Sequence, residues 1–144
     1  MNLHELIMKN PPDRQHPGEN RPVAPRILLA EDDPGIRRAC GRALARAGYT
    51  VRVAADGQEA WEALEMETFD LLVTDNRMPR LSGQELVLKV RQHSLELPVI
   101  VAASDLEFFV NPDNEWLQIA QLLQKPFGLQ QLRAAVKRCL PVGR

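Results

Sequence analysis

From Arg26 onward the chain alternates between short apolar runs and stretches with helical spacing. Ile27-Leu28-Leu29-Ala30 is a compact apolar run that stops at Glu31-Asp32-Asp33. Helix signals follow at once, with Asp33 as N-cap, Pro34 in the first helical position and Gly48 just past the end. Between them Ile36, Cys40, Leu44 and Ala47 recur on one helical face, with arginines opposite. Residues 50–54 predict a second strand, with Val51 and Val53 pointing one way. Residues 58–66 predict a second helix that turns Ala60, Ala63 and Leu64 inward. Residues 70–75 (DLLVTD) form a third strand, whose continuous apolar centre is that of a parallel strand buried on both faces.

Ser82 and Glu85 have capping-box spacing and open a third helix that runs to about Gln92, with Leu86, Val87 and Val90 inward. Residues 98–102 (PVIVA) predict a fourth strand, and residues 117–124 contain a fifth. A closing helix over 129–140 turns Leu129, Leu132, Val136 and Cys139 inward. Regular alternation of strand and helix predicts a doubly wound α/β fold, a parallel sheet with helices on both faces and right-handed crossovers. Residues 105–119 break the pattern. Asn111 precedes Pro112 and is pushed out of helical geometry, so two short pieces, or a loop with one turn, fit better than one long helix. The first 25 residues hold five of the eleven prolines, which predicts a flexible leader with a single helical turn at 3–8.

The 144 residues suit one domain, over 26–144, with a tail. A formal charge of −1 argues against a strongly basic nucleic-acid surface. Cys40 and Cys139 lie too far apart for a metal or redox spacing and read as packed thiols in a reducing cytoplasm. No apolar run approaches the roughly 18 residues of a membrane span. A cytoplasmic location with no membrane partner is expected. His93 reads as a helix-end residue facing the dipole, whereas His4 and His16 have no partners by spacing. Trp61 is expected to cover the second helix and Met78 to pack beside Pro79. Phe108, Phe109 and Trp116 fit either core or a partner-binding patch.

In an open parallel sheet, ligands bind beyond the carboxyl ends of the strands. Here the first strand ends in Glu31 and Asp32, the third in Asp75, the fourth at Ala103-Ser104 and the fifth near Lys125-Pro126. Carboxylates brought within about 4–5 Å of each other repel by roughly 3–4 kcal/mol per pair at an effective dielectric near 20. Such a cluster requires a cation or raised pKa values, and an oxygen-only set suits Mg²⁺. A carboxylate beside Mg²⁺ and a lysine can attack a phosphoryl group, and Asp75 is the central candidate. Asp33 is left to its role as helix cap.

These residues resemble those of the receiver domain of two-component response regulators. The matching motifs are residues 27–33 (ILLAEDD), 73–79 (VTDNRMP), 98–104 and Lys125-Pro126-Phe127, all four in order and suitably spaced. The resemblance implies a flavodoxin-like (βα)5 fold with strand order 2-1-3-4-5. It implies phosphorylation of Asp75 by a sensor histidine kinase or phosphotransfer protein, the domain catalysing its own phosphorylation and slow dephosphorylation. It also implies Mg²⁺ held by Asp32, Asp75 and the Arg77 backbone carbonyl, with Glu31 acting through water and Lys125 binding the phosphoryl group. Arg77 and Asp105 face the site mouth in the family pattern and are expected to pair across it and slow hydrolysis.

The chain departs from the family at its switch positions. Ala103 stands where a Thr or Ser hydroxyl is usual, with Ser104 one residue on as a candidate substitute, and Leu122 stands in place of an aromatic. The leading reading is a single-domain regulator that signals by contact with a downstream protein, since only about four residues follow the last helix and none forms a DNA-binding domain. The alternative is a receiver-like interaction module whose phosphorylation switch is degenerate. A Mg²⁺-dependent phosphatase would want a second acid two residues past the nucleophile, where Arg77 stands.

Overall fold

A computed structural model of the protein describes residues 23–140. The expected helical turn at 3–8, His4, His16 and nearly all of the Pro-rich leader lie outside the described residues. Among the described residues five strands alternate with helices. In chain order they are β1 (Arg26–Ala30), α1 (Pro34–Arg46), β2 (Thr50–Ala54), α2 (Gly57–Met66), β3 (Leu71–Asp75), α3 (Gly83–Gln92), β4 (Val99–Ala103), α4 (Glu107–Val110), a 3-10 turn (Pro112–Leu117), β5 (Gln121–Gln124) and α5 (Leu129–Cys139). All neighbouring strands pair in parallel, in the order β2-β1-β3-β4-β5. This is the flavodoxin-like arrangement, with its reversal of strand order between β1 and β3.

Local chemistry sets the helix starts. Asp33 accepts hydrogen bonds from the Gly35 and Ile36 amides at 2.9 and 3.0 Å, and Pro34 opens α1. Ser82 and Glu85 form a reciprocal capping box at the start of α3. Gly48 ends the first helical unit at φ 103°, a conformation that glycine adopts without a Cβ clash. Asn111 takes φ −64° and ψ 128°, as the following proline demands, and splits the fourth crossover into α4 and the 3-10 turn. Of the two arrangements expected for this segment, the two short pieces form.

Side chains alternate across the central strands, so the sheet separates two apolar layers. Leu28, Leu72, Val99 and Val101 pack with Ala60 and Trp61 of α2, Leu86, Val87 and Val90 of α3, and Phe109 and Leu117. Ile27, Leu29, Leu71, Val73 and Ile100 pack with Cys40 and Leu44 of α1 and Leu132 and Val136 of α5. Both faces of β3 and β4 are covered, which accounts for their unbroken apolar sequence.

Some inward assignments fail at element ends. Ile36 and Leu129 are each 40% exposed, because both lie in the opening turn of their helices, where the surface is less covered than in the middle of the helix. Ala47 is also exposed, as the C-cap of α1. Val53, for which the sequence predicts only a shared side with Val51, is 44% exposed because β2 is an edge strand. Strand β4 runs one residue later than its apolar run indicated, which makes Ala103 its last residue.

The two helical layers differ in charge. On one, α1 carries Arg37, Arg38, Arg42 and Arg46, and α5 carries Arg133, Lys137 and Arg138, with no acid on either helix. On the other, α2 carries Glu59, Glu62 and Glu65, and the α4 and 3-10 segment carries Glu107, Asp113 and Glu115, against Lys89 and Arg91 of α3, which also carries Glu85.

Candidate functional site at the carboxyl end of the sheet

Parallel pairing places the ends of β1, β3, β4 and β5 on one edge of the molecule. Asp75 is the last residue of β3, opposite Ala102 of β4, and is 7% exposed. Glu31 follows β1 directly and is 4% exposed, its backbone amide donating to the Ala54 carbonyl at 3.0 Å. Asp32 next to it is exposed. Carboxylate oxygens of Glu31, Asp32 and Asp75 all lie within 4.8 Å of one another, so the three acids expected to converge do so. Arg37 supports the acidic turn from behind, donating to the Glu31 and Asp32 carbonyls at 2.9 and 3.3 Å.

Lys125 supplies the opposing charge. Its amide continues the β4 ladder by donating to the Ala103 carbonyl at 2.9 Å, and the Lys125–Pro126 peptide is cis. Its ammonium lies 2.9 Å from Asp75 Oδ2 and 3.4 Å from Glu31 Oε1. Partial burial pulls the ammonium down, but the bonds to Asp75 and Glu31 outweigh it and hold Lys125 above its ordinary pKa. Burial pushes Glu31 up from 4.5 to about 7. The Asp33 amide, bonded to it at 3.1 Å, and Lys125 pull it back, while Asp75 adds to the rise. Near pH 7 one lysine leaves this carboxylate cluster underneutralised. An all-oxygen donor set short of positive charge is the chemistry that a hard divalent cation fits, and Mg²⁺ is such a cation.

Asp75 Oδ1 accepts from the Asn76 amide at 2.8 Å, so each carboxylate oxygen has one fixed partner and keeps a further lone pair. A cavity of about 430 Å³ opens beside it, lined by Asp75, Arg77, Gln84, Ala103, Ser104, Asp105 and Lys125 among others. Ala103 brings only a methyl group to this wall. Ser104 is exposed, and its carbonyl accepts from the Gln124 side chain at 2.6 Å. Arg77 and Asp105 are both exposed at the cavity, and no ion pair within 4.0 Å joins them among the described residues. The Asp105 carboxylate instead accepts from the Glu107 amide at 2.9 Å, at the start of α4. Leu122 is half-buried on β5 and packs on the same layer as α2 and α3.

Two amides at the site carried no signal in the sequence. Asn76 Oδ1 accepts from the Gln84 backbone amide at 2.9 Å, and both residues line the cavity. The remaining candidates have ordinary roles. His93 caps α3, its Nδ1 lying 2.8 Å from the Lys89 carbonyl and its ring 4.8 Å from that of Trp61. Trp61 is buried between helices, Met78 packs on the core, and Phe109 is buried with Phe108 edge-on against it. Trp116 is 51% exposed. Cys40 and Cys139 are free thiols. No helix among the described residues is long and apolar enough to cross a membrane.

Comparison with known proteins identifies the family and agrees with the fold. The family model for the response regulator receiver domain matches residues 27–137. The response regulator receiver protein CpdR of Brucella abortus (strain 2308) is 37% identical over 115 residues, covering 80% of this chain and 96% of CpdR. Response regulator MprA of Mycobacterium ulcerans (strain Agy99) is 35% identical over 122 residues, and the match spans 50% of its length. The chemotaxis response regulator CheY4 of Vibrio cholerae superposes with a TM-score of 0.74 at 28% identity, over 82% of this chain and 100% of CheY4. TrrA of Thermotoga maritima, solved in complex with Mg(2+)-BeF, gives a TM-score of 0.71 at 27% identity, over 81% of this chain and 99% of TrrA. With strand order, acidic cluster and lysine all in place, the chain belongs to the response regulator receiver domain family of two-component signalling.

Proposed function

We propose that Asp75 accepts a phosphoryl group from a sensor histidine kinase or phosphotransfer protein, and that the product acts in the cytoplasm by contact with a downstream protein. The observation that carries this is the Lys125 ammonium 2.9 Å from a buried Asp75 that shares a 4.8 Å cluster with two further acids. A carboxylate oxygen of Asp75 attacks phosphorus as the bond from phosphorus to the donor breaks, leaving an acyl phosphate. Lys125 is placed to move from the carboxylate to a phosphoryl oxygen as charge shifts outward. The Asn76 amide holds the other Asp75 oxygen and fixes the direction of attack. Mg²⁺ would be held by Asp32, Asp75 and the Arg77 backbone carbonyl, with Glu31 acting through water. When bound it adds positive charge against the phosphoryl oxygens.

Intact mass after incubation with acetyl phosphate and Mg²⁺ tests the reading. The wild type should gain one phosphoryl group, and Asp75→Asn, or wild type with excess EDTA, should gain none. Equal labelling of Asp75→Asn would sink the assignment. Arg77 and Asp105 narrow the cavity mouth in this reading, so Arg77→Ala should speed loss of the phosphoryl group, by at most about fivefold for so exposed a charge. Ser104 is the candidate hydroxyl beside the phosphoryl group. A second reading, an interaction module whose switch is degenerate, is favoured by the methyl of Ala103 at the end of β4, by Leu122 and by the split fourth crossover. Full phosphorylation with unchanged backbone amide spectra in α4, the 3-10 turn and β5 would select it.

A further inference from the structure

We propose that Gln84 orients the water that hydrolyses the phosphoryl group on Asp75, an inference that rests on the reading of Asp75 as acceptor. The start of α3 is pressed onto the backbone of the acceptor residue. A Cβ on Gly83 would lie 2.2 Å from the Asp75 carbonyl oxygen and 2.9 Å from the Asn76 Cα. The Gly83 amide donates to the Asn76 carbonyl at 2.8 Å, and the Gln84 amide donates to Asn76 Oδ1 at 2.9 Å. These contacts fix the Gln84 Cα relative to Asp75 from two directions. Its half-buried side chain stands on the rim between the Asp75 cavity and a neighbouring cavity lined by Asp32, Met78 and Pro79.

Among the described residues, only Asn76, Arg77 and Gln84 line both cavities. Arg77 has donors alone, and the Asn76 side chain is tied to the backbone of α3 by the Gln84 amide, which leaves its oxygen one lone pair in a fixed direction. The Gln84 carboxamide makes no hydrogen bond among the described residues, so its oxygen is available to accept from a water and its NH₂ to donate. A carboxamide on the wall of the Asp75 cavity would do for a phosphoryl group what orienting glutamines do for hydrolytic water elsewhere. In the step, the water oxygen bonds to phosphorus and the bond from phosphorus to the Asp75 oxygen breaks. Asp75 leaves as a carboxylate, and both water hydrogens leave on dihydrogen phosphate.

The experiment follows one protein through two processes. Wild type and Gln84→Leu are phosphorylated with acetyl phosphate and Mg²⁺, freed of donor, and followed by intact mass, with gain and loss timed separately. Loss from Gln84→Leu should slow by about tenfold. Gain, which involves no water, should not slow in parallel. Should Gln84→Leu fail to fold, Gln84→Met carries the same comparison with an unbranched chain of similar length. Unaltered loss overturns the inference alone, and so does equal slowing of gain and loss, the mark of a structural role. Absence of any gain in the wild type overturns the reading of Asp75 and this inference with it.

Discussion

At the scale of residues, Asp56 couples two segments. It caps α2 through the Glu59 amide at 2.8 Å and takes two bonds from Arg80, at 2.9 and 3.2 Å. Arg80 adopts φ 66°, a strained conformation for a residue with a Cβ, so this contact helps to hold the loop after β3. The Arg80 hydrogen bond outweighs burial, and with backbone bonds it holds the Asp56 carboxyl below its ordinary 3.8. A depressed carboxyl stabilises the fold above the unfolded pKa, and the contribution is lost as pH falls through the folded value. Asp56→Asn keeps a capping side chain but not the charge. It should therefore melt modestly earlier than wild type at pH 7, and the gap should begin to narrow near pH 3.8 and close as the pH falls through the lower folded value, as thermal melts at several pH values would show.

The acids and Lys125 were legible in the sequence because each stands at a strand end and carries charge. Gln84 and Asn76 were not, since an uncharged amide has no periodicity and no electrostatic signature. Their place at the site depends on how closely α3 approaches β3, a long-range packing fact. The absence of an Arg77–Asp105 ion pair among the described residues was equally hidden, because Asp105 finds a nearer partner in the Glu107 amide.

Elements meet at two glycines whose packing leaves no room for a methyl group. A Cβ on Gly57 would lie 1.9 Å from the Leu81 carbonyl oxygen, and one on Gly83 would meet Asp75. The starts of α2 and α3 thereby grip residues 76–81 between them. Gly83→Ala should cost about 3 kcal/mol or more and displace the acceptor strand, lowering both melting temperature and phosphoryl gain. Ser82→Ala, which removes only the cap, should cost about 1 kcal/mol and leave phosphoryl gain intact. Urea unfolding beside the mass assay separates the two. Helix caps and the Pro112 break could be read from sequence because they are local. The exposure of Ile36 and Leu129 could not, because spacing gives the face of a helix and not the reach of the neighbours that cover it. Arg91 shows the same limit, its guanidinium donating to the carbonyls of Leu95, Leu97, Leu117 and Gln118 and tying α3 to the 3-10 turn across 26 residues of chain.

The whole molecule is nearly neutral, with a formal charge of −1, yet α1 and α5 share one side of the sheet with arginines and lysine and no acid. Net charge alone would predict passage through a cation exchanger at pH 7. The layered structure predicts retention there at low salt, abolished by Arg38→Glu with Arg42→Glu, and the elution profile checks it. A body with opposite poles on either side of a thin sheet is turned by any external field before it touches anything. An approaching polyelectrolyte would exert a torque that swings one hemisphere forward within a Debye length of contact, so encounters begin already aligned, and added salt erases that alignment first.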